Sequence, residues 1–122
     1  MYIVIVGAGA AGFYVAHLLS REKQEIVVIE QDEEAAAQVR RELDVGVVVG
    51  NAAIPRILWQ AEVQRADLVV AVTGVDESNM ITCFMAKELG AKRTIARVRN
   101  PEYSGYLLVG GKSPYATRKV GR

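Results

Sequence analysis

Gly7-Ala8-Gly9-Ala10-Ala11-Gly12 carries the spacing G-x-G-x-x-G, and what flanks it decides how it is read. Before it stands a short β-branched run, Tyr2-Ile3-Val4-Ile5-Val6. After it, residues 13–21 have helical character. In a strand–turn–helix unit of this kind, the first glycine permits the tight turn. The second lets the backbone approach a diphosphate with no Cβ in the way, and the third lets the helix pack close to the strand. The N–H groups that open the helix, at the positive end of its dipole, attract phosphate. Glu30 ends a second apolar run, Ile26-Val27-Val28-Ile29, 18 residues beyond Gly12. That is near the ~20-residue spacing of a ribose-binding acid. A carboxylate there accepts hydrogen bonds from ribose hydroxyls and repels a 2′-phosphate, which favours NAD or an adenosine nucleotide over NADP.

Working outward, apolar runs and helical stretches alternate. Strands are predicted over 2–6, 25–30, 45–49, 67–72 and 94–98, and helices over 13–21, 32–43, 55–61 and 76–89. Pro55 suits the first turn of its helix. Asp76 is expected to cap helix 76–89, and Gly90 to close it. Pro101 is expected to open a further helix reaching 109. Such alternation predicts an α/β fold: a Rossmann-type, doubly wound parallel sheet in a single domain. Strands buried on both faces read as continuous apolar runs, as 4–6, 26–29 and 68–72 do.

The 122 residues suit one domain. Up to residue 111 there are 11 Lys/Arg against 14 Asp/Glu; Lys112, Arg118, Lys119 and Arg122 follow with no acid among them. The expected division is therefore a nucleotide-binding domain over 1–109 and a basic, disordered tail over 110–122. A mildly acidic body gives no reason to expect nucleic acid. Cys83 is the single cysteine, so no disulfide forms within the chain and no cysteine-ligated metal site is expected. Met1 leads straight into a strand rather than a signal peptide, and no apolar run approaches the ~20 residues of a membrane span. A cytoplasmic protein is expected, reaching a membrane only through a partner.

Up to Glu30, an FAD enzyme would read the same way. The second half differs. Ala66-Asp67-Leu68-Val69-Val70-Ala71-Val72-Thr73-Gly74-Val75-Asp76-Glu77-Ser78-Asn79-Met80 and Thr94-Ile95-Ala96-Arg97-Val98-Arg99-Asn100-Pro101-Glu102-Tyr103 resemble the RCK-N (KTN, TrkA-N) domains of Trk-type potassium-transport regulators. The resemblance runs from Met1 to about Tyr103. It implies a regulatory subunit, not an enzyme, that forms dimers or larger rings beneath a membrane K⁺ transporter or channel. There it would gate ion flux as NAD(H), or in some members ATP/ADP, is bound. Carried over by motif, Gly7, Ala8, Gly9, Ala10, Ala11 and Gly12 form the diphosphate turn. Glu30 and Gln31 hold the ribose, Asn51 and Ala52 meet the adenine side, and Thr73 and Gly74 face the rest of the nucleotide. Arg97 supplies positive charge near the phosphates or between subunits, and is the one member expected away from a strand end. Asn51 stands where the family commonly has Asp, Ala10 where many members are polar or basic, and Ile54 where Asp is frequent. After Tyr106 the pattern is lost: the family's last strand and ligand-sensing C-terminal domain are expected to be missing.

Helix 76–89 shows one apolar stripe of Ile81, Phe84, Met85 and Leu89, with Met80 and Cys83 outside it, so a second face is predicted to form a subunit interface. His17 reads as an ordinary helix residue, Trp59 as packing and Cys83 as a small hydrophobe. Tyr115-x-x-x-Lys119 and Gly111-Lys112-Ser113 are chance matches to catalytic and phosphate motifs, set where no fold supports them. The alternatives are an NAD- or FAD-dependent oxidoreductase, or a fragment of one, and a dimerisation module with a vestigial pocket.

Overall fold

The computed structural model describes residues 1–103 together with the backbone of two further strands, Tyr106–Leu108 and Thr117–Lys119. Five parallel strands form the main sheet: β1 (Tyr2–Val6), β2 (Glu25–Glu30), β3 (Gly46–Val49), β4 (Leu68–Ala71) and β5 (Thr94–Ala96). Their order is β3-β2-β1-β4-β5. The chain leaves β1 toward one edge, then returns to β4 on its other side. This reversal beside β1 is the point at which open α/β sheets place ligands, beyond the carboxyl ends of the strands.

Alternation along β1 divides the core. Tyr2, Val4 and Val6 pack with α3 (Pro55–Gln60), the 3₁₀ turn Val63–Arg65 and α4 (Asp76–Leu89). Ile3 and Ile5 pack with α1 (Ala10–Ser20) and α2 (Glu33–Glu42) on the opposite face. All five β1 residues are buried, as a central strand covered on both faces requires. Each fully buried aliphatic side chain contributes roughly 1.5–3 kcal/mol.

Local chemistry sets the ends of the helices. Asp32 caps α2 by accepting from the Ala35 N–H at 2.9 Å. Gly90 closes α4 at φ +125°, a conformation that favours glycine. Asp76 does not cap α4 as expected: Val75 takes that position with no side-chain bond. The Asp76 carboxylate accepts instead from the Asn100 N–H at 2.6 Å.

The helix expected from Pro101 does not form. Asn100 Oδ1 accepts from the Glu102 N–H at 2.8 Å, and the Asn100 carbonyl accepts from the Tyr103 N–H at 2.9 Å. These two bonds close a local turn over residues 100–103. Strand β6 (Tyr106–Leu108) follows, paired antiparallel with β7 (Thr117–Lys119). That pairing crosses the boundary drawn at residue 110 and places a strand in the expected disordered tail. Residues 109–116, which hold Tyr115 and the Gly-Lys-Ser match, lie outside the described residues.

At Gly12, α1 passes close against the turn that follows β1. A Cβ built on Gly12 would fall onto the Gly7 carbonyl oxygen, with Val72 Cγ2 at 3.3 Å behind it. Gly12→Ala must therefore push α1 off the sheet. An urea denaturation series should show a loss of ~1–3 kcal/mol; unchanged stability would mean that the helix is not held against the strand.

Candidate functional site

A crevice of about 770 Å³ opens beyond the carboxyl ends of the strands, across the β1/β4 switch. That volume lies within the range of small-molecule sites. The turn after β1 supplies its floor. Gly7 adopts φ +103°, and a Cβ there would meet the Thr73 backbone at 3.1 Å. Gly9 differs. Its φ is −69°, which any residue can adopt, and a Cβ on it would meet no protein atom within 4 Å. Nothing within the fold requires glycine at position 9, and the space a side chain would fill belongs to the crevice. No side chain caps α1, and its first turn holds no acid. The amides there are left for an anion or water.

Glu30, at the end of β2, is fixed by backbone on both oxygens. Oε1 accepts from the Ala8 N–H at 2.6 Å and Oε2 from the Asp32 N–H at 2.7 Å. A carboxylate has about four acceptor sites, so two remain for further donors such as ribose hydroxyls. Asn51 lines the crevice beyond β3 and ties its Oδ1 to the Ala53 N–H at 2.9 Å, with buried Ala52 beside it.

The far wall is a hydrogen-bonded joint. Asn79, fully buried, accepts from the Thr73 N–H at 3.0 Å and the Thr73 hydroxyl at 2.6 Å. Its Nδ2 donates to the carbonyls of Thr73 at 3.1 Å and Arg97 at 2.9 Å. Arg97 Nη2 donates to the carbonyls of Val72 at 2.9 Å and Thr73 at 2.8 Å, while its Nε is buried without a partner. Asp76 holds the backbone at 99–100, and Glu77 accepts from the Tyr103 hydroxyl at 3.0 Å.

Every residue singled out from the sequence lines this crevice except Ala8 and Gly12. Ala8 is buried with its N–H spent on Glu30, and Gly12 faces the Gly7 carbonyl; both shape the turn from behind. Arg97 was expected away from the strand ends, but β5 stops at Ala96 and Arg97 is the next residue. Asp32, Gly50, Val75, Ser78 and Arg99 also line the crevice and were not singled out. Ending the fifth strand at Ala96 would have placed Arg97 and Arg99 together past its end. The stripe expected on α4 is corrected too. Asn79, Thr82, Cys83 and Ala86 are buried there, Met85 and Leu89 pack against the core, and Ile81 is 52% exposed. Burial pushes the Cys83 thiol up to about 12, an inert small hydrophobe as read. No cluster that could hold a metal ion occurs among the described residues.

Residues 3–112 match the model of the TrkA-N domain. The chain belongs to the TrkA-N domain family. Among curated relatives, "Trk system potassium uptake protein trkA homolog 1" of Methanosarcina mazei is 49% identical over 110 residues, covering 84% of this chain and 26% of the relative. A TrkA homolog of Methanothermobacter thermautotrophicus is 38% identical over 103 residues, covering 84% of this chain and 48% of the relative. The chain thus spans a quarter to a half of the length of these two relatives. Two solved structures share the fold. The "GsuK channel bound to NAD" superposes with TM-score 0.75 at 21% identity, over 84% of this chain and 19% of that one. The NAD(P)-binding domain of an exopolyphosphatase-related protein from Archaeoglobus fulgidus gives 0.73 at 16%, over 83% and 75%.

The two sequence segments that resemble TrkA-N domains are thus partners in space. Asp76, Glu77 and Asn79 of the first grip Arg97, Asn100 and Tyr103 of the second. The N–H groups of Arg99 and Asn100 hold the Asp76 carboxyl below the usual carboxylate range. Its stabilising effect is full above the unfolded pKa of about 3.9 and disappears as pH falls through the lower folded value. Asp76→Ala should therefore lower the urea midpoint at pH 7, and the gap to wild type should close on acidification below about pH 4. A gap independent of pH would contradict the ionised clamp.

Proposed function

We propose that this TrkA-N domain binds NAD(H), with ATP and ADP as competing ligands, and acts as a regulatory element of a membrane K⁺ transporter or channel rather than as an enzyme. The observation that carries this reading is the open space over Gly9, facing the uncapped first turn of α1, with Glu30 held ready beside it. On this reading the amides after Gly9 take the diphosphate and Glu30, with Gln31, takes the ribose. Asn51 and Ala52 border the base, and Thr73, Gly74 and Arg97 border the remainder of the ligand. The names of the relatives support the link to potassium uptake. The ligand would favour one arrangement of packed domains over another, by no more than its difference in affinity between them.

No helix among the described residues is long and apolar enough to cross a membrane. On the proposed reading the domain sits in the cytoplasm, attached to the membrane through its transporter. Self-association would use α4, where Ile81 is exposed and Met80 and Phe84 are half-buried. Tyr14 and Leu18 give α1 a second exposed apolar pair.

Calorimetry with NADH, NAD⁺, ATP and ADP tests the binding reading. NADH should bind, and Glu30→Ala should weaken it about tenfold or more, the worth of hydrogen bonds to a charged group. Gly9→Ala should abolish binding while shifting stability by no more than ~0.5 kcal/mol. Silence with all four nucleotides, or NADH turnover with an added acceptor, would overturn the proposal. Light scattering tests the interface: the wild-type domain should associate, and Ile81→Glu with Phe84→Glu should give monomers. An unchanged mass would exclude α4 as the contact.

A further inference from the structure

One residue closes the loop that leaves β3. Asn51 Oδ1 accepts from the Ala53 N–H at 2.9 Å, and the Asn51 backbone carbonyl accepts from the Ile54 N–H at 3.0 Å. An asparagine that bonds its own backbone two residues on holds its side chain as well as the turn. One residue earlier, the Gly50 N–H donates to the Glu30 backbone carbonyl at 3.0 Å. The loop is thereby tied to the end of β2, next to the Glu30 carboxylate.

This arrangement decides which half of the Asn51 amide is free. The Ala53 N–H is a donor, so the atom facing it is the oxygen, and the orientation of the amide follows from that bond. Nδ2 has no acceptor among the described residues. Both of its N–H groups remain, whereas Oδ1 has spent one of its two lone pairs. No carboxylate from this loop offsets the imbalance: the chain has no Asp or Glu between Asp44 and Glu62. Among the described residues, Asn51 is the one polar side chain that the turn after β3 contributes to the crevice. The acids nearby are engaged, Glu30 with two backbone amides and Asp32 with the cap of α2. At this end the crevice wall therefore donates more than it accepts.

Purines differ in what they offer such a wall. Adenine carries an amino donor at C6, and hypoxanthine and guanine carry a carbonyl acceptor there. Asparagine recognises adenine with both halves of its amide, accepting from N6 and donating to N7. With Oδ1 bound to Ala53, Asn51 offers chiefly the donating half. We propose that Asn51 makes the base end of the crevice favour a 6-keto purine nucleotide over its adenine counterpart, Nδ2 donating to O6. This rests on the reading that the crevice holds a nucleotide with its base beyond β3. NADH still binds on this account, but without a partner for its 6-amino group. A carboxylate at position 51 would reverse the order: one oxygen would keep the Ala53 bond and the other would accept from the amino group.

Calorimetry with NADH and with reduced nicotinamide hypoxanthine dinucleotide tests this, because the two differ only at C6 and in the proton at N1. Wild type should bind the hypoxanthine dinucleotide about fivefold more tightly, the worth of one neutral hydrogen bond. IDP and ADP should fall in the same order. Asn51→Asp should reverse the preference and Asn51→Ala should bring the ratio to about one, with melting curves as the check on folding. If wild type binds NADH as tightly as the hypoxanthine dinucleotide or more so, or Asn51→Asp keeps the wild-type ratio, the Asn51 assignment is overturned while the nucleotide reading stands. If wild type binds none of the four, both fall together.

Discussion

One carboxylate ties the ligand end of this fold together. Glu30 stands at the end of β2 and accepts an N–H from the turn after β1 and another from the turn after β2. Two loops that would otherwise present bare amides at neighbouring strand ends are thereby set in register. The Ala8 amide is used up in doing so, which leaves the amides after Gly9 as the free set in the turn. Charge-assisted bonds of this kind are short and directional, so the turn is fixed before any ligand arrives. Preorganisation of this sort lowers the ordering cost of binding. The sheet beneath makes it possible: β1 and β2 run parallel with Val6 opposite Ile29, so their ends emerge side by side.

A second constraint operates on the other side of β1. Asn79 is completely buried, and both ends of its amide are satisfied by Thr73 and Arg97. An asparagine in a helix interior is a poor choice on propensity alone; here its side chain joins α4, the β4–α4 turn and the exit from β5 into one unit. Asp76 and Glu77 extend the joint to Asn100 and Tyr103. On the proposed reading, a ligand resting on Gly74 presses on the same joint from which the chain leaves β5. Occupancy then has a physical route to whatever follows Tyr103.

Much of this was legible in the sequence because the decisive signals are local. The first two strands span the residues expected of them, 2–6 and 25–30, and the glycine turn sits where its spacing places it. The misreadings share a cause: a side chain whose partner is distant in sequence. Asp76 looks like a helix cap until Asn100 is brought to it. Val98 extends the apolar run of β5, yet pairing stops at Ala96, so Arg97 and Arg99 fall at the crevice rather than within a strand. Pro101 looks like a helix start, but the preceding Asn100 folds its own turn. The buried stripe of α4 includes Asn79 and Thr82, which hydrophobic periodicity alone passes over in favour of exposed Ile81.

On the proposed reading, the amides after Gly9 and the carboxylate of Glu30 seize adjoining parts of one ligand. A crystal structure of the protein grown with NADH tests it most directly. A diphosphate should be seated over Gly9, with ribose hydroxyls on the two unused acceptor sites of Glu30. Density for the nucleotide elsewhere on the molecule, or in this crevice with its ribose turned away from Glu30, would contradict it.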